Sequence, residues 1–181
     1  IQVAVGVSFT SIENARRNLH AELAGTELVE DIADAGINQA FNMVRDAAAD
    51  EWDSLLGRID VEGGTDEQKQ VFYTALYHTL IHPSILNDVN GDYPVMESDS
   101  IGNIYENAKA VTAADSAAVH PRYTVFSLWD TYRNLHQLMT LVYPDRQEGM
   151  VQSMLGIYRE HGWLPKWELF GRETLTMEGD P

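Results

Sequence analysis

The sequence lacks cysteine, is poor in basic residues and has no long apolar run. Zero cysteines in 181 residues exclude disulfides and thiolate zinc sites, but they leave the cellular compartment undecided. No apolar stretch reaches the length of about 18 residues that a membrane span needs, so no such span is expected. Lys and Arg number 12 against 28 Asp and Glu. The resulting formal charge of −16 repels phosphate backbones and disfavours nucleic-acid binding, whereas it tolerates a bound divalent cation.

The first ten residues predict a β-strand. In residues 1–10, IQVAVGVSFT, apolar and smaller or polar side chains alternate with the period of two that is typical of a half-buried strand. No comparable strand follows within the reach of a hairpin, so we expect its partner to lie upstream. The chain also opens on Ile1 rather than on Met. We therefore expect the sequence to be a piece of a longer protein.

Most of the remaining sequence predicts helices. Residues 11–57 repeat apolar positions every three or four residues, with a possible break at Gly36. Thr65 to Gln68 fit a capping box, which predicts a helix that ends near His82 because Pro83 follows. Two further helices are predicted, at residues 127–142 and from just after Pro144 to about His161, with Gly162 ending the second. Downstream of residue 60 the pattern favours an all-α architecture.

Residues 83–122 predict a long irregular excursion between helices. Asn90-Gly91 is a strong turn signal, and a second turn is predicted near Gly102-Asn103. Four residues around the first turn resemble a calcium loop: Asn87, Asp88, Asn90 and Asp92. Because the glycine is misplaced for an EF-hand and no Glu stands at the twelfth position, a turn is the better interpretation. His78 and His82 are spaced as ligands on one helix face, but no third ligand is in view, so no metal site is predicted within the sequence.

Aromatic residues and carboxylates are interleaved toward the C-terminal end. Trp129-Asp130 and Trp167-Glu168 each join an aromatic face, on which a sugar ring can stack, to an acid that accepts from hydroxyl groups. A structural interpretation is open for both acids. Asp130 would lie in the first turn of its helix, with Ser127 as the cap, and Glu168 would lie in a short helix beginning at Pro165. Buried acids also need partners, and two arginines are candidates, Arg133 and Arg172.

Three segments closely resemble glycoside hydrolase family 92, the calcium-dependent exo-acting α-mannosidases of bacteria. They are GGTDEQKQVFYTALYHTLIHPS, YTVFSLWDTYRNLHQLMTLVYPDRQ and GWLPKWEL. The resemblance covers nearly the whole chain. It implies a mainly α fold, in which the start of an (α/α)6 barrel at residues 63–181 follows a helical linker at 20–62. Residues 1–19 would be the end of an N-terminal β-sandwich domain and would contain its last strand.

The resemblance also implies a function and a set of site residues. Enzymes of this family remove terminal mannose from mannose-containing glycans with inversion, and a Ca²⁺ ion helps to bind and distort the sugar. Trp129 and Asp130 would line the pocket for the terminal mannose, and Glu168 would lie at the same mouth as a weaker assignment. The family's catalytic acid, base and calcium-binding motifs do not occur in these 181 residues. We therefore expect no catalytic residue and no metal ligand here, inactivity of the chain alone, and the rest of the barrel as its partner.

The family implies secretion or a periplasmic location, although no signal peptide is visible in the sequence. Two alternatives to an enzyme fragment remain open: a carbohydrate-binding module without catalysis, and a purely structural helical domain. The structural alternative predicts that Trp129 and Trp167 are buried in a core, remote from any cleft.

Overall fold

The structure is a computed structural model that describes residues 3–23, 37–111 and 118–175. The chain divides into two compact units, residues 1–74 and 75–181. This division does not test the domain boundaries expected after residues 19 and 62, which stay a prediction. Within the described ranges, no helix is long and apolar enough to cross a membrane.

The first unit is helical. Helix α1, Ile12–Glu22, begins at Ser11, whose hydroxyl accepts the backbone N–H of Asn14 at 3.0 Å. This cap satisfies one of the amides that every helix start leaves unpaired. Helix α2 spans Ile37–Leu56. The predicted break at Gly36 lies outside the described residues.

The N-terminal segment departs from its prediction. Residues 3–8 form no regular element, and no strand in the described part of the chain pairs with them. A strand requires a neighbour for its backbone groups, and here the apolar residues of the alternating pattern stay exposed, Val3 at 78% and Val5 at 72%. The strand is therefore not formed here, and the β-sandwich that would contain it stays a prediction.

The capping box at Thr65 is confirmed. The Thr65 backbone N–H donates to Gln68 Oε1 at 2.9 Å, and the Gln68 N–H donates to Thr65 Oγ1 at 3.3 Å. Helix α3 spans Asp66–Thr79. It ends about one turn earlier than the predicted end at His82. The helical period of the sequence places both Leu76 and Val71 on the inner face of this helix. Leu76 is buried, whereas Val71 is 70% exposed, so the prediction is wrong for Val71.

The second unit contains short strands as well as helices. In chain order its elements after α3 are β1 Ser84–Ile85, β2 Asp92–Pro94, β3 Ile101–Asn103, α4 Ile104–Val111, β4 Tyr123–Thr124, β5 Phe126–Ser127, α5 Leu128–Thr131, α6 Leu135–Val142, α7 Pro144–His161, β6 Trp167–Leu169 and β7 Arg172–Glu173. The strands form three antiparallel sheets, β1 with β4, β2 with β3, and β5-β6-β7. The all-α expectation downstream of residue 60 was therefore wrong, although the fold is mainly helical.

Several local predictions are corrected by tertiary pairing. The helix predicted over residues 127–142 is two helices, α5 and α6, separated at residues 132–134. The helical period of residues 127–142 places Tyr132 on the inner face, but Tyr132 is 46% exposed. The turn at Asn90-Gly91 is confirmed, with Gly91 at a φ of +88°, but it precedes β2 and does not close a hairpin. The turn predicted near Gly102-Asn103 is wrong, because both residues belong to β3.

Helix α7 contributes two residues, Met150 and Ile157, to the buried core cluster of the second unit. Its boundaries match the prediction: Pro144 begins the helix, and Gly162, at a φ of +86°, ends it by donating its N–H to the Tyr158 carbonyl at 2.7 Å. The buried cluster consists of Met96, Tyr123, Phe126, Leu128, Met150 and Ile157. Because Phe126 and Leu128 belong to this cluster, the junction at which β5 leads into α5 packs against the core.

Candidate functional site

Trp129 and Asp130 lie on the surface in the short helix α5. Asp130 is in its first turn, as predicted, and Trp129 is 44% exposed. Ser127 precedes the helix but does not cap a backbone amide, contrary to expectation; its hydroxyl donates instead to Asp130 Oδ2. This bond fixes the orientation of the carboxylate. The structural alternative, which required a buried Trp129, is wrong at this residue.

Strand β6 brings the second tryptophan–carboxylate pair beside the first. In the antiparallel ladder, Trp167 is the register partner of Ser127, and Glu168 is the partner of Phe126. The ladder ends where α5 begins, with the Leu128 N–H directed to the Lys166 carbonyl at 3.4 Å. The two pairs are therefore neighbours in space although about 40 residues of sequence separate them.

The short helix predicted at Pro165 is wrong. Residues 167–169 and 172–173 form the hairpin β6–β7, and Glu173 holds it by accepting the backbone N–H groups of Lys166 and Trp167 at 2.9 and 3.0 Å. Pro165 is buried ahead of this strand and does not begin a helix. Residues 167–169 form a strand and not a helix because they pair with β5. Local helix signals cannot predict pairing with a strand so distant in sequence.

Glu168 is a buried acceptor of several hydrogen bonds. Its side chain is 1% exposed. Oε1 accepts the Gly171 N–H at 2.6 Å, Oε2 accepts the Val125 N–H at 3.1 Å, and the Thr124 hydroxyl lies 2.9 and 3.0 Å from the two oxygens. Thr124 Oγ1 in turn accepts the Phe170 N–H at 2.8 Å. One carboxylate therefore joins the loop between β4 and β5 to the turn between β6 and β7.

The backbone around this carboxylate is held in an unusual conformation. Val125 has a φ of +64° and Phe170 a φ of +50°, in the left-handed region that non-glycine residues rarely adopt. For a β-branched residue such as Val125 this geometry costs on the order of 1–3 kcal/mol, which the surrounding contacts must offset. The amide of Val125 donates directly to Glu168, and the amide of Phe170 donates to Thr124. The buried acid thus supports both strained positions.

Burial raises the pKa of the Glu168 carboxyl above its ordinary value. The Gly171 amide, the Thr124 hydroxyl and the charge of Arg122 act in the opposite direction but do not reverse the effect of desolvation. Neither arginine proposed from the sequence pairs with this acid. Arg133 Nε lies 3.3 Å from the Tyr132 hydroxyl, and Arg172 contacts Asp99 at 2.9 Å and Glu97 at 3.7 Å.

A second polar cluster was missed from the sequence. Arg122 is buried and forms two hydrogen bonds with Glu160, at 3.0 and 2.8 Å, while its guanidinium lies 4.7 Å from the centre of the Tyr93 ring. The Tyr93 hydroxyl donates to Glu160 at 2.9 Å, and burial raises the pKa of Tyr93 to about 12. Arg122 and Tyr93 border a cavity of about 330 Å³. No local signal could have found this cluster, because its members are far apart in sequence.

The described residues do not fit a calcium site. Within residues 3–23, 37–111 and 118–175, no three acidic or histidine side chains converge on a position where a metal ion could be held. The loop that resembled a calcium-binding segment is closed by its own bonds instead. Asp92 Oδ2 accepts from the Asn90 amide at 2.7 Å, and Oδ1 accepts from the Asn103 amide at 2.9 Å.

The family assignment follows from the sequence match. Residues 14–181 match the model of the "Glycosyl hydrolase family 92 catalytic domain". The chain belongs to glycoside hydrolase family 92. The match includes α5 and both tryptophan–carboxylate pairs of this family 92 chain. No curated protein matches the sequence.

Solved structures of family 92 enzymes share this fold. The chain is similar to the family GH92 alpha-mannosidase BT3965 from Bacteroides thetaiotaomicron, with 31% identity over 94% of the chain and a TM-score of 0.71; that enzyme has also been solved in complex with mannoimidazole. It is similar to the family GH92 inverting mannosidase BT2199 of the same species, with 30% identity over 96% and a TM-score of 0.69. The chain spans only 19% and 20% of the lengths of these two structures.

Proposed function

We propose that this chain is part of an α-mannosidase and that it supplies Trp129 and Asp130 to the pocket for a terminal mannose of mannose-containing glycans. The observation that carries the proposal is the arrangement of these two side chains at the start of α5. An exposed indole stands beside a carboxylate, and the Ser127 hydroxyl orients that carboxylate. The indole face can stack on the C–H face of a sugar ring, and the carboxylate can accept from its hydroxyls.

The chemistry of bond cleavage is assigned to other parts of the enzyme. The relative BT2199 is an inverting mannosidase, which supports an inverting reaction for this enzyme. Inversion requires a general acid and a general base about 6.5–9.5 Å apart, with a water molecule between them. The relatives are about five times longer than this chain. We therefore propose that the acid, the base and the ligands of a required Ca²⁺ ion lie outside the described residues, and that these residues only bind and orient the sugar. For such an enzyme, secretion or a periplasmic location remains part of the proposal.

The test uses the full-length enzyme with an aryl α-mannoside as substrate. Asp130→Asn keeps the shape of the side chain but removes its charge, so we expect kcat/KM to fall by about 10²-fold, the scale on which a lost charged contact acts. Asp145→Asn is the matched control, because Asp145 also lies exposed in the first turn of a helix, α7. If Asp130→Asn and Asp145→Asn have the same small effect, the pocket assignment is wrong.

Chelation and controls complete the test. EDTA is expected to abolish mannose release and added Ca²⁺ to restore it; undiminished release in EDTA would refute the calcium requirement. A full-length protein that binds mannose without releasing it from any α-mannoside would be a carbohydrate-binding module, and the enzyme proposal would then fail.

A further inference from the structure

We propose that Glu168 is a positioning residue, whose buried carboxylate holds the β4–β5 bend and thereby sets the place of Trp129 and Asp130. The proposal rests on the function proposed above. It assigns to Glu168 a role different from the place at the mouth of the mannose pocket that the family resemblance implied.

The carboxylate is suited to the donors that surround it. Two backbone amides, from Val125 and Gly171, and the Thr124 hydroxyl all direct hydrogens toward its two oxygens. An ionised carboxylate only accepts, so it can satisfy all three donors at once. A glutamine side chain would place its own N–H groups against one of these donors, and it would leave a buried group without an acceptor.

The effect of the carboxylate reaches α5 through a short and continuous path. Val125, in its left-handed conformation, leads directly into β5, and β5 leads directly into α5. Ser127, the last residue of β5, donates its hydroxyl to Asp130. The backbone of Glu168 also lies in the strand that pairs with β5. A change in the bend at Val125 would therefore move Ser127 and rotate the carboxylate of Asp130.

Direct contact between Glu168 and a sugar is disfavoured by its surroundings. Its side chain is 1% exposed, whereas that of Trp129 is 44% exposed. Both carboxylate oxygens are already engaged by protein donors. Glu168 also faces away from Ser127, because adjacent residues of a strand point to opposite faces and its neighbour Trp167 is the partner of Ser127.

Thr124 provides the variant that separates positioning from contact. In the full-length enzyme, Glu168→Gln should lower kcat/KM for an aryl α-mannoside by about 10–10²-fold, the cost of displacing a substrate-positioning group. Thr124→Val removes the same bridge from the other side and should cause a similar loss. Thr124→Ser keeps the hydroxyl, so this variant should retain a kcat/KM close to that of the wild type. The double variant Glu168→Gln with Thr124→Val should lose little more kcat/KM than the worse of these two single variants.

Glu173→Gln is the matched control. Glu173 also accepts backbone amides, those of Lys166, Trp167 and Leu175, but none of them belongs to the β4–β5 bend. It should retain kcat/KM within about twofold. If Glu168→Gln abolishes activity while Thr124→Val leaves it intact, Glu168 contacts the substrate or acts in catalysis, and the positioning proposal is wrong. If Glu168→Gln and Glu173→Gln lose activity equally, the effect is general to the sheet, and the proposal is also wrong.

Hydrogen exchange gives a readout that does not depend on activity. In the full-length protein, amides of residues 124–130 should exchange faster in Glu168→Gln and in Thr124→Val than in the wild type or in Glu173→Gln. Unchanged exchange in this peptide would refute the positioning role even if activity falls. If the wild-type enzyme releases no mannose, the proposed function fails, whereas the exchange measurement still decides whether Glu168 holds the bend.

Discussion

The guanidinium of Arg122 forms two hydrogen bonds with the carboxylate of Glu160, 38 residues away in the sequence. The side chains are 5% and 15% exposed, so this ion pair is largely removed from water. Glu160 also accepts the backbone N–H of Met96 at 3.0 Å and the hydroxyl of Tyr93. The pair therefore ties the end of α7 to the β2–β3 sheet and to the segment that enters β4.

Replacing Glu160 should destabilise the fold strongly. Glu160→Met leaves the charge of Arg122 buried without its partner, and we expect the free energy of unfolding to fall by about 3–5 kcal/mol. Urea unfolding followed by tryptophan fluorescence measures this change. Glu13→Gln is the control, because Glu13 pairs with two arginines but is 61% exposed, and it should cost less than about 1 kcal/mol.

The double variant Arg122→Met with Glu160→Met tests the cause of that loss. It removes both charges together, so it should be less destabilised than Glu160→Met alone. A double variant that is at least as unstable as the single one would show that packing, not an unpaired charge, accounts for the effect.

The capping box of α3 should contribute measurably to stability. Thr65→Ala removes the hydroxyl that accepts the Gln68 amide, and loss of such a cap costs about 1 kcal/mol. Thr74→Ala is the matched control, since Thr74 is an exposed position inside the same helix. Thermal or urea unfolding compares the two variants. Equal effects of both substitutions would contradict the role of the cap.

The raised pKa of Glu168 predicts a definite dependence of stability on pH. A carboxyl group whose pKa is higher in the folded state than in the unfolded chain stabilises the fold below its ordinary pKa of 4.5. That contribution is lost as the pH rises through the folded-state value. The Glu168→Gln variant has no carboxyl group at this position and cannot titrate there. The free energy of unfolding of the wild type should therefore fall relative to that of Glu168→Gln as the pH increases above 4.5.

Urea unfolding of both proteins at a series of pH values checks this expectation. The difference between wild type and Glu168→Gln is the relevant quantity, because the many other carboxylates of the chain titrate equally in both proteins. A difference that stays constant or grows with pH would mean that the hydrogen bonds from Val125, Gly171 and Thr124 outweigh burial.

Several signals carried by neighbouring residues predicted the structure correctly. The capping box at Thr65, the ends of α7 at Pro144 and Gly162, and the place of Asp130 in a first helical turn are all set by residues within about one helical turn. The physical reason is that caps and helix starts satisfy backbone groups with atoms only a few residues away. The family resemblance was also carried by contiguous segments, and the match over residues 14–181 confirms it.

Features that depend on distant partners were decided by the tertiary structure alone. Whether residues 167–169 form a helix or a strand depends on pairing with β5, about 40 residues earlier. The alternation in residues 3–8 produced no strand, because no described strand pairs with it. The sequence by itself identified Trp129, Asp130 and Glu168 as a group of interest. Only the tertiary structure separated the exposed pair Trp129 and Asp130 from the buried carboxylate of Glu168, because burial and hydrogen-bond partners arise from contacts between segments.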